Sequence, residues 1–163
     1  MTEQAATDVR EIPFQTADGG TAKLSDLGDK VFLVVNLASK CGLTPQYEQL
    51  EQLQKAYADR GFSVVGFPSN QFLQEPGSTE QILDYCATTW GVSFPVFDKV
   101  KVNGRSAAPL YKQLKDTADE TGRVTWNFEK FVVLPSGEVR RFSPKTVPDD
   151  PAIVELIEAN LPA

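Results

Sequence analysis

The run Val31-Phe32-Leu33-Val34-Val35-Asn36-Leu37 constrains this fold more than any other feature of the sequence. It is short, almost wholly apolar and rich in β-branched side chains, the pattern of a central strand covered on both faces. A second run of the same kind follows at Phe62 to Phe67. Between the two, Tyr47, Leu50, Leu53 and Tyr57 recur at helical spacing. Thr44 is placed to cap that helix, Pro45 suits its first position, and Gly61 marks the end of the segment. Two buried strands joined by a helix make a parallel pair with a crossover, so the chain must build a sheet with helices packed on it.

The rest of the chain completes that sheet. Asp18-Gly19-Gly20 between Glu11–Thr16 and Thr21–Leu24 signals an N-terminal β-hairpin. After the loop Pro68 to Gly77, Ser78-Thr79-Glu80-Gln81 has the spacing of a capping box and opens a helix running to about Trp90. Phe94 to Phe97 reads as a short extended piece, and Pro109 to about Asp116 as a short helix. Trp126–Leu134 and Glu138–Phe142 read as strands joined across Pro135-Ser136-Gly137. Asp149 or Asp150 caps a last helix whose apolar face is Ile153, Leu156 and Ile157. The order predicts one domain over residues 1–163: an α/β, thioredoxin-like core with a mixed central sheet flanked by helices. Residues 1–9 read as a flexible tail.

Composition removes most chemistries. There is no histidine among the 163 residues, so Ser-His-Asp triads, Cys-His pairs and His-based metal or haem sites are excluded. Two cysteines cannot hold a four-cysteine zinc or an iron–sulfur cluster, and no cofactor is expected. Sixteen basic against twenty-two acidic residues leave a net charge of −6, which disfavours nucleic acid as a partner. Met1 to Arg10 has neither a basic n-region nor an apolar run, and Val31 to Ala38 is too short to span a bilayer. The expectation is a cytoplasmic protein with no membrane partner and reduced cysteines. Cys41 and Cys86 do not form a CxxC pair, which leaves a transient redox pair open.

Cys41 falls in the turn between a buried strand and a helix start, at the carboxyl end of the sheet where ligands gather. The amide groups of a helix N-terminus and the neighbouring Lys40 both favour the thiolate, the nucleophilic form of the side chain. Position alone does not separate a reactive thiol from a cysteine that simply packs. A thiolate that attacks a peroxide needs hydrogen-bond donors for the charge on the departing oxygen. Without histidine these must be amides and indoles, which Pro68 to Gly77 and Trp126-Asn127-Phe128 supply.

Four ordered blocks then carry a resemblance. Asn36-Leu37-Ala38-Ser39-Lys40-Cys41-Gly42-Leu43-Thr44, Phe67-Pro68-Ser69-Asn70-Gln71-Phe72, Gln74-Glu75-Pro76-Gly77 and Trp126-Asn127-Phe128-Glu129-Lys130-Phe131 together resemble the glutathione peroxidase family. The resemblance runs from about Phe14 to Asn160 and implies a thioredoxin-like fold that reduces hydrogen peroxide and organic hydroperoxides. It makes Cys41 the peroxidatic residue, and Gln74, Trp126 and Asn127 the other members of a catalytic tetrad. The loop before Gln74 is one residue shorter than the family's, so Gln71 is the alternative amide. Cys86 lies on the helix where thioredoxin-dependent relatives keep a resolving cysteine, one position out of register. Ser69 stands where many relatives have a cysteine.

The short segment between Tyr111 and Trp126 lacks the oligomerisation insertion of tetrameric, glutathione-using relatives, and no arginine cluster lies near Cys41 in sequence. Both features imply a monomer reduced by thioredoxin, with glutathione as the alternative reductant. A peroxiredoxin fits less well, because Ala38 stands where such proteins place a threonine before the reactive cysteine. A thiol–disulfide oxidoreductase would need cysteine at Thr44. A non-catalytic thioredoxin-like module would have no reason to keep all four tetrad-type residues.

Overall fold

A computed structural model describes residues 8–162 of the chain. The tail expected over residues 1–9 lies, for 1–7, outside the described residues. Asp8 and Val9 depart from that expectation: Asp8 accepts the Arg10 amide to cap a short 3-10 turn, and Val9 is buried.

The long apolar run forms β3 (Val31–Leu37), preceded by a small hairpin of β1 (Phe14–Gln15) and β2 (Thr21–Ala22). Then come α1 (Gln46–Tyr57), β4 (Phe62–Pro68), α2 (Thr79–Trp90) and α3 (Pro109–Thr117). The chain ends with β5 (Lys130–Val133), β6 (Val139–Phe142) and α4 (Pro151–Asn160). The main sheet has the order β4-β3-β5-β6. β3 pairs parallel with β4 from Val31↔Phe62 to Leu37↔Pro68, and antiparallel with β5 in the register Val35↔Lys130. The sheet is therefore mixed, as expected.

Alternation along β3 divides the core in two. Val31, Leu33, Val35 and Leu37 join Tyr47, Leu50, Ile82, Ile153 and Ile157 on one face. Phe32 and Val34 join Phe14, Leu110, Tyr111 and Leu114 on the other. All seven β3 residues are buried, which is why the run carries no polar alternation. Among the described residues no helix is long and apolar enough to cross a membrane.

Local rules set most boundaries. Ser78 and Gln81 form the expected reciprocal cap on α2, and Gly91 ends that helix in the left-handed conformation. Asp150, not Asp149, caps α4 by accepting the Ala152 amide. Three expectations are corrected. The hairpin strands are only two residues each. Thr44 does not cap α1, which starts at Gln46; its hydroxyl donates to the Ala38 carbonyl and accepts the Cys41 amide instead. The strand expected from Trp126 begins only at Lys130, because Phe128 adopts φ 65° and turns the backbone out of extended geometry.

Candidate active site

Cys41 sits four residues past the carboxyl end of β3, in a loop closed by Thr44. The Thr44 hydroxyl takes the Cys41 amide at 3.0 Å and gives to the Ala38 carbonyl at 2.9 Å, so one side chain fixes both ends of the turn. That geometry aims the Leu43 amide at the Cys41 sulfur, 3.3 Å away. Cys41 as a residue is 8% exposed, at the edge of the core.

A second donor arrives from far along the chain. The Trp126 indole Nε1–H points at Cys41 Sγ at 3.2 Å. Its ring leans on Phe72 at 5.2 Å between centroids and stays 38% exposed. A sulfur receiving two N–H donors from different directions is arranged to carry negative charge. A thiol would satisfy itself with less.

Trp126 is held by a buried polar frame. Asn36, at the penultimate position of β3, donates from Nδ2 to the Trp126 carbonyl at 3.0 Å and accepts the Glu129 amide at 3.0 Å. Its backbone carbonyl accepts the Phe128 amide at 2.7 Å. On the near side the Glu129 carboxylate accepts from the Thr125 amide and hydroxyl, and pairs with Arg141.

Asn127 and Gln74 meet beside this frame. Asn127 Nδ2 donates to Gln74 Oε1 at 2.8 Å, and the Lys40 amide donates to the Gln74 carbonyl at 3.1 Å. Gln74 is thus tied both to the Cys41 loop and to the Trp126 turn. Among the described residues no acceptor takes the Gln74 Nε2 hydrogens, while Oε1 is taken by Asn127. Gln71 is occupied elsewhere: Oε1 accepts the Val102 and Asn103 amides, and Nε2 donates to the Asn103 carbonyl. The shortened loop closes through Leu73, which adopts φ 62° with its amide on the Asn70 carbonyl. Gln74, not Gln71, faces Asn127.

Cys86 is not bonded to Cys41. It lies on the inner face of α2, 2% exposed, with its thiol donating to the Tyr47 hydroxyl at 3.4 Å. Burial pushes that thiol up from its ordinary value, so it is protonated in this state. Both cysteines are free thiols. Glu75, next to Gln74, is 1% exposed with Oε2 unpartnered, and burial pushes its carboxyl upward against the pull of Ser39, Lys99 and Lys40. Among the described residues no group of three or more carboxylates or cysteines could hold a metal.

Sequence reasoning missed Asn36, Glu129 and Lys130 as a frame, although each left a signal: a polar residue inside an apolar or strand-like stretch.

Comparison with known proteins places the chain in a family. The family model described as Glutathione peroxidase matches residues 9–115. The chain belongs to the glutathione peroxidase family. It is 49% identical to the thioredoxin/glutathione peroxidase BtuE of Escherichia coli, over 88% of this chain and 92% of that protein. The crystal structure of Trypanosoma cruzi GPX1 superposes with a TM-score of 0.74 at 31% identity, covering 94% of this chain and 96% of that one. A thioredoxin-family thiol:disulfide interchange protein from Chlorobium tepidum superposes at 0.64 with 23% identity, covering 96% of this chain and 99% of its own. That last likeness gives the thioredoxin-like fold alone. Membership in the family makes this protein a peroxidase that draws its electrons from thiols.

Proposed function

We propose that Cys41 is the peroxidatic nucleophile, with Trp126, Asn127 and Gln74 as its donors, and that Cys86 resolves the oxidised form for reduction by thioredoxin. The observation that carries this reading is the indole hydrogen bond to Cys41 Sγ, made across 85 positions of sequence. The thiolate attacks one peroxide oxygen, forming S–O as O–O breaks. The departing oxygen takes a proton and leaves as water or alcohol, while Cys41 becomes a sulfenic acid. The Cys86 sulfur then attacks Cys41, expelling water and leaving a Cys41–Cys86 disulfide. Two thiols of the reductant return the enzyme to its starting state by exchange.

The resolving step needs α2 to open, because Cys86 is buried with its thiol on the Tyr47 hydroxyl and is not bonded to Cys41. Opening a single helix is within the range of local unfolding. The name of the E. coli relative, which mentions both reductants, is consistent with thioredoxin as donor. The short connection after α3 supports a monomer.

Steady-state peroxidase assays with thioredoxin and with glutathione, on the wild type, Cys41→Ser and Cys86→Ser, test this reading. Cys41→Ser should lose turnover with either donor. Cys86→Ser should still consume one equivalent of peroxide but stall with thioredoxin. Unchanged turnover of Cys86→Ser removes that residue from the cycle, and a clear preference for glutathione overturns the choice of donor.

A further inference from the structure

The turn carrying Trp126 and Asn127 is anchored on its far side by a buried lysine. Lys130, the first residue of β5, is 0% exposed. Its Nζ donates to the Phe128 carbonyl at 2.7 Å and to the Pro144 carbonyl at 2.9 Å. Sealing a lysine in a core is costly, and an unneeded one would be replaced at no loss by an apolar side chain. The residue it holds is Phe128, whose φ of 65° is strained for a side chain that carries a Cβ. Strain of that kind persists only where surrounding bonds fix it, and here they are the Asn36 carbonyl on the Phe128 amide and Lys130 on the Phe128 carbonyl.

We propose that Lys130 is a positioning residue for peroxide reduction, clamping the Phe128 turn so that the Trp126 indole stays on the Cys41 sulfur. Lys130 shares the face of the sheet occupied by Val35, its partner in register, and Val132. Its hydrogen bonds go to the Phe128 and Pro144 carbonyls and not to Cys41, so it acts through the turn. Burial pushes the amine down to about 7, with only Glu129 pulling the other way. A neutral amine has two hydrogens, and the site offers two carbonyls. The clamp therefore holds on either side of that value and does not depend on the charge. Pro144 is fixed in turn by the Gln46 amide, which donates to the same carbonyl at 2.9 Å, so the anchor reaches back to the start of α1.

The inference rests on Cys41 as nucleophile, and a double-mutant cycle tests it. The readout is the second-order rate of Cys41 oxidation by hydrogen peroxide, followed by rapid quench and mass spectrometry. Lys130→Met keeps the apolar stem and removes both donors. It should slow oxidation about tenfold, as Trp126→Phe does, since both lose the same hydrogen bond to sulfur. In the Trp126→Phe background Lys130→Met should cost less than about twofold. A rate within about twofold of wild type, or an equal loss in both backgrounds, overturns the inference; the second result would mean a general loosening of the core. If Lys130→Met does not fold, Lys130→Gln, whose amide reaches one carbonyl, is put through the same cycle and judged by the same two outcomes. Absence of Cys41 oxidation in the wild type would instead refute the nucleophile, which separates the two failures.

Discussion

Replacing Asn36 by leucine tests whether the polar frame beneath Trp126 is as consequential as its geometry implies. The side chain is fully buried, and leucine has nearly the same shape, so packing changes little. What changes is that the Glu129 amide loses its acceptor and the Trp126 carbonyl its donor. An unsatisfied buried polar group costs about 1–3 kcal/mol. The Glu129 amide is fully enclosed and carries the whole penalty, whereas water can partly reach the Trp126 carbonyl, which falls at the low end. Set against about 1 kcal/mol of added apolar burial, the net loss is about 1–3 kcal/mol. A domain of this size converts that to a fall of roughly 3–10 °C in melting temperature. Urea denaturation gives the free energy directly, with an unchanged slope marking a true loss of stability. Peroxide reactivity should fall alongside, because the indole donor rides on the same turn. A variant as stable as wild type would refute the accounting, and a destabilised one with full reactivity would show that the frame does not aim Trp126.

Trp126→Phe removes the indole donor but keeps the ring against Phe72, so peroxide oxidation should slow about tenfold with the melting temperature nearly unchanged. The loss is set below the full value of a charge-assisted hydrogen bond because water can replace part of it at a half-exposed indole. Stopped assays across peroxide concentration read this, and a loss of stability without loss of rate would contradict it. Glu75 has a carboxyl raised by burial from its ordinary value of 4.5, so the folded state holds that proton more tightly than the unfolded chain. Its burial therefore costs nothing at low pH and progressively more as pH climbs from 4.5 through the raised value. Glu75→Gln should gain stability relative to wild type over that rise, measured as paired melting curves from acid to neutral pH. Parallel curves would mean that Glu75 is solvated or paired.

Much of the fold was readable because burial on both faces leaves an unmistakable pattern. The β3 and β4 runs and the capping box of α2 are local signals, and each sits where the sequence puts it. The turn at Trp126 was not readable as a turn. Trp126 to Leu134 reads as one strand, and the left-handed Phe128, held by Asn36 and Lys130, breaks it. Thr44 was misread for a related reason: threonine before proline signals a helix cap, but the closer Cys41 amide captures its hydroxyl. At the site, residue types were legible and pairings were not. Sequence favours Gln74, which opens Gln-Glu-Pro-Gly, but leaves Gln71 as an alternative; the Val102–Asn103 segment, thirty-odd positions away, occupies Gln71 and removes it. The burial of Cys86 against Tyr47 is a tertiary fact with no local signature, since a helical cysteine reads the same whether it faces in or out.

The most direct test of the account adds one equivalent of hydrogen peroxide to the reduced protein and maps the oxidation by peptide mass spectrometry within seconds. One oxygen should appear on Cys41 first, followed by loss of two hydrogens as a Cys41–Cys86 bridge. Oxygen found first on Cys86, or a Cys41 that reacts no faster than free cysteine, would contradict it.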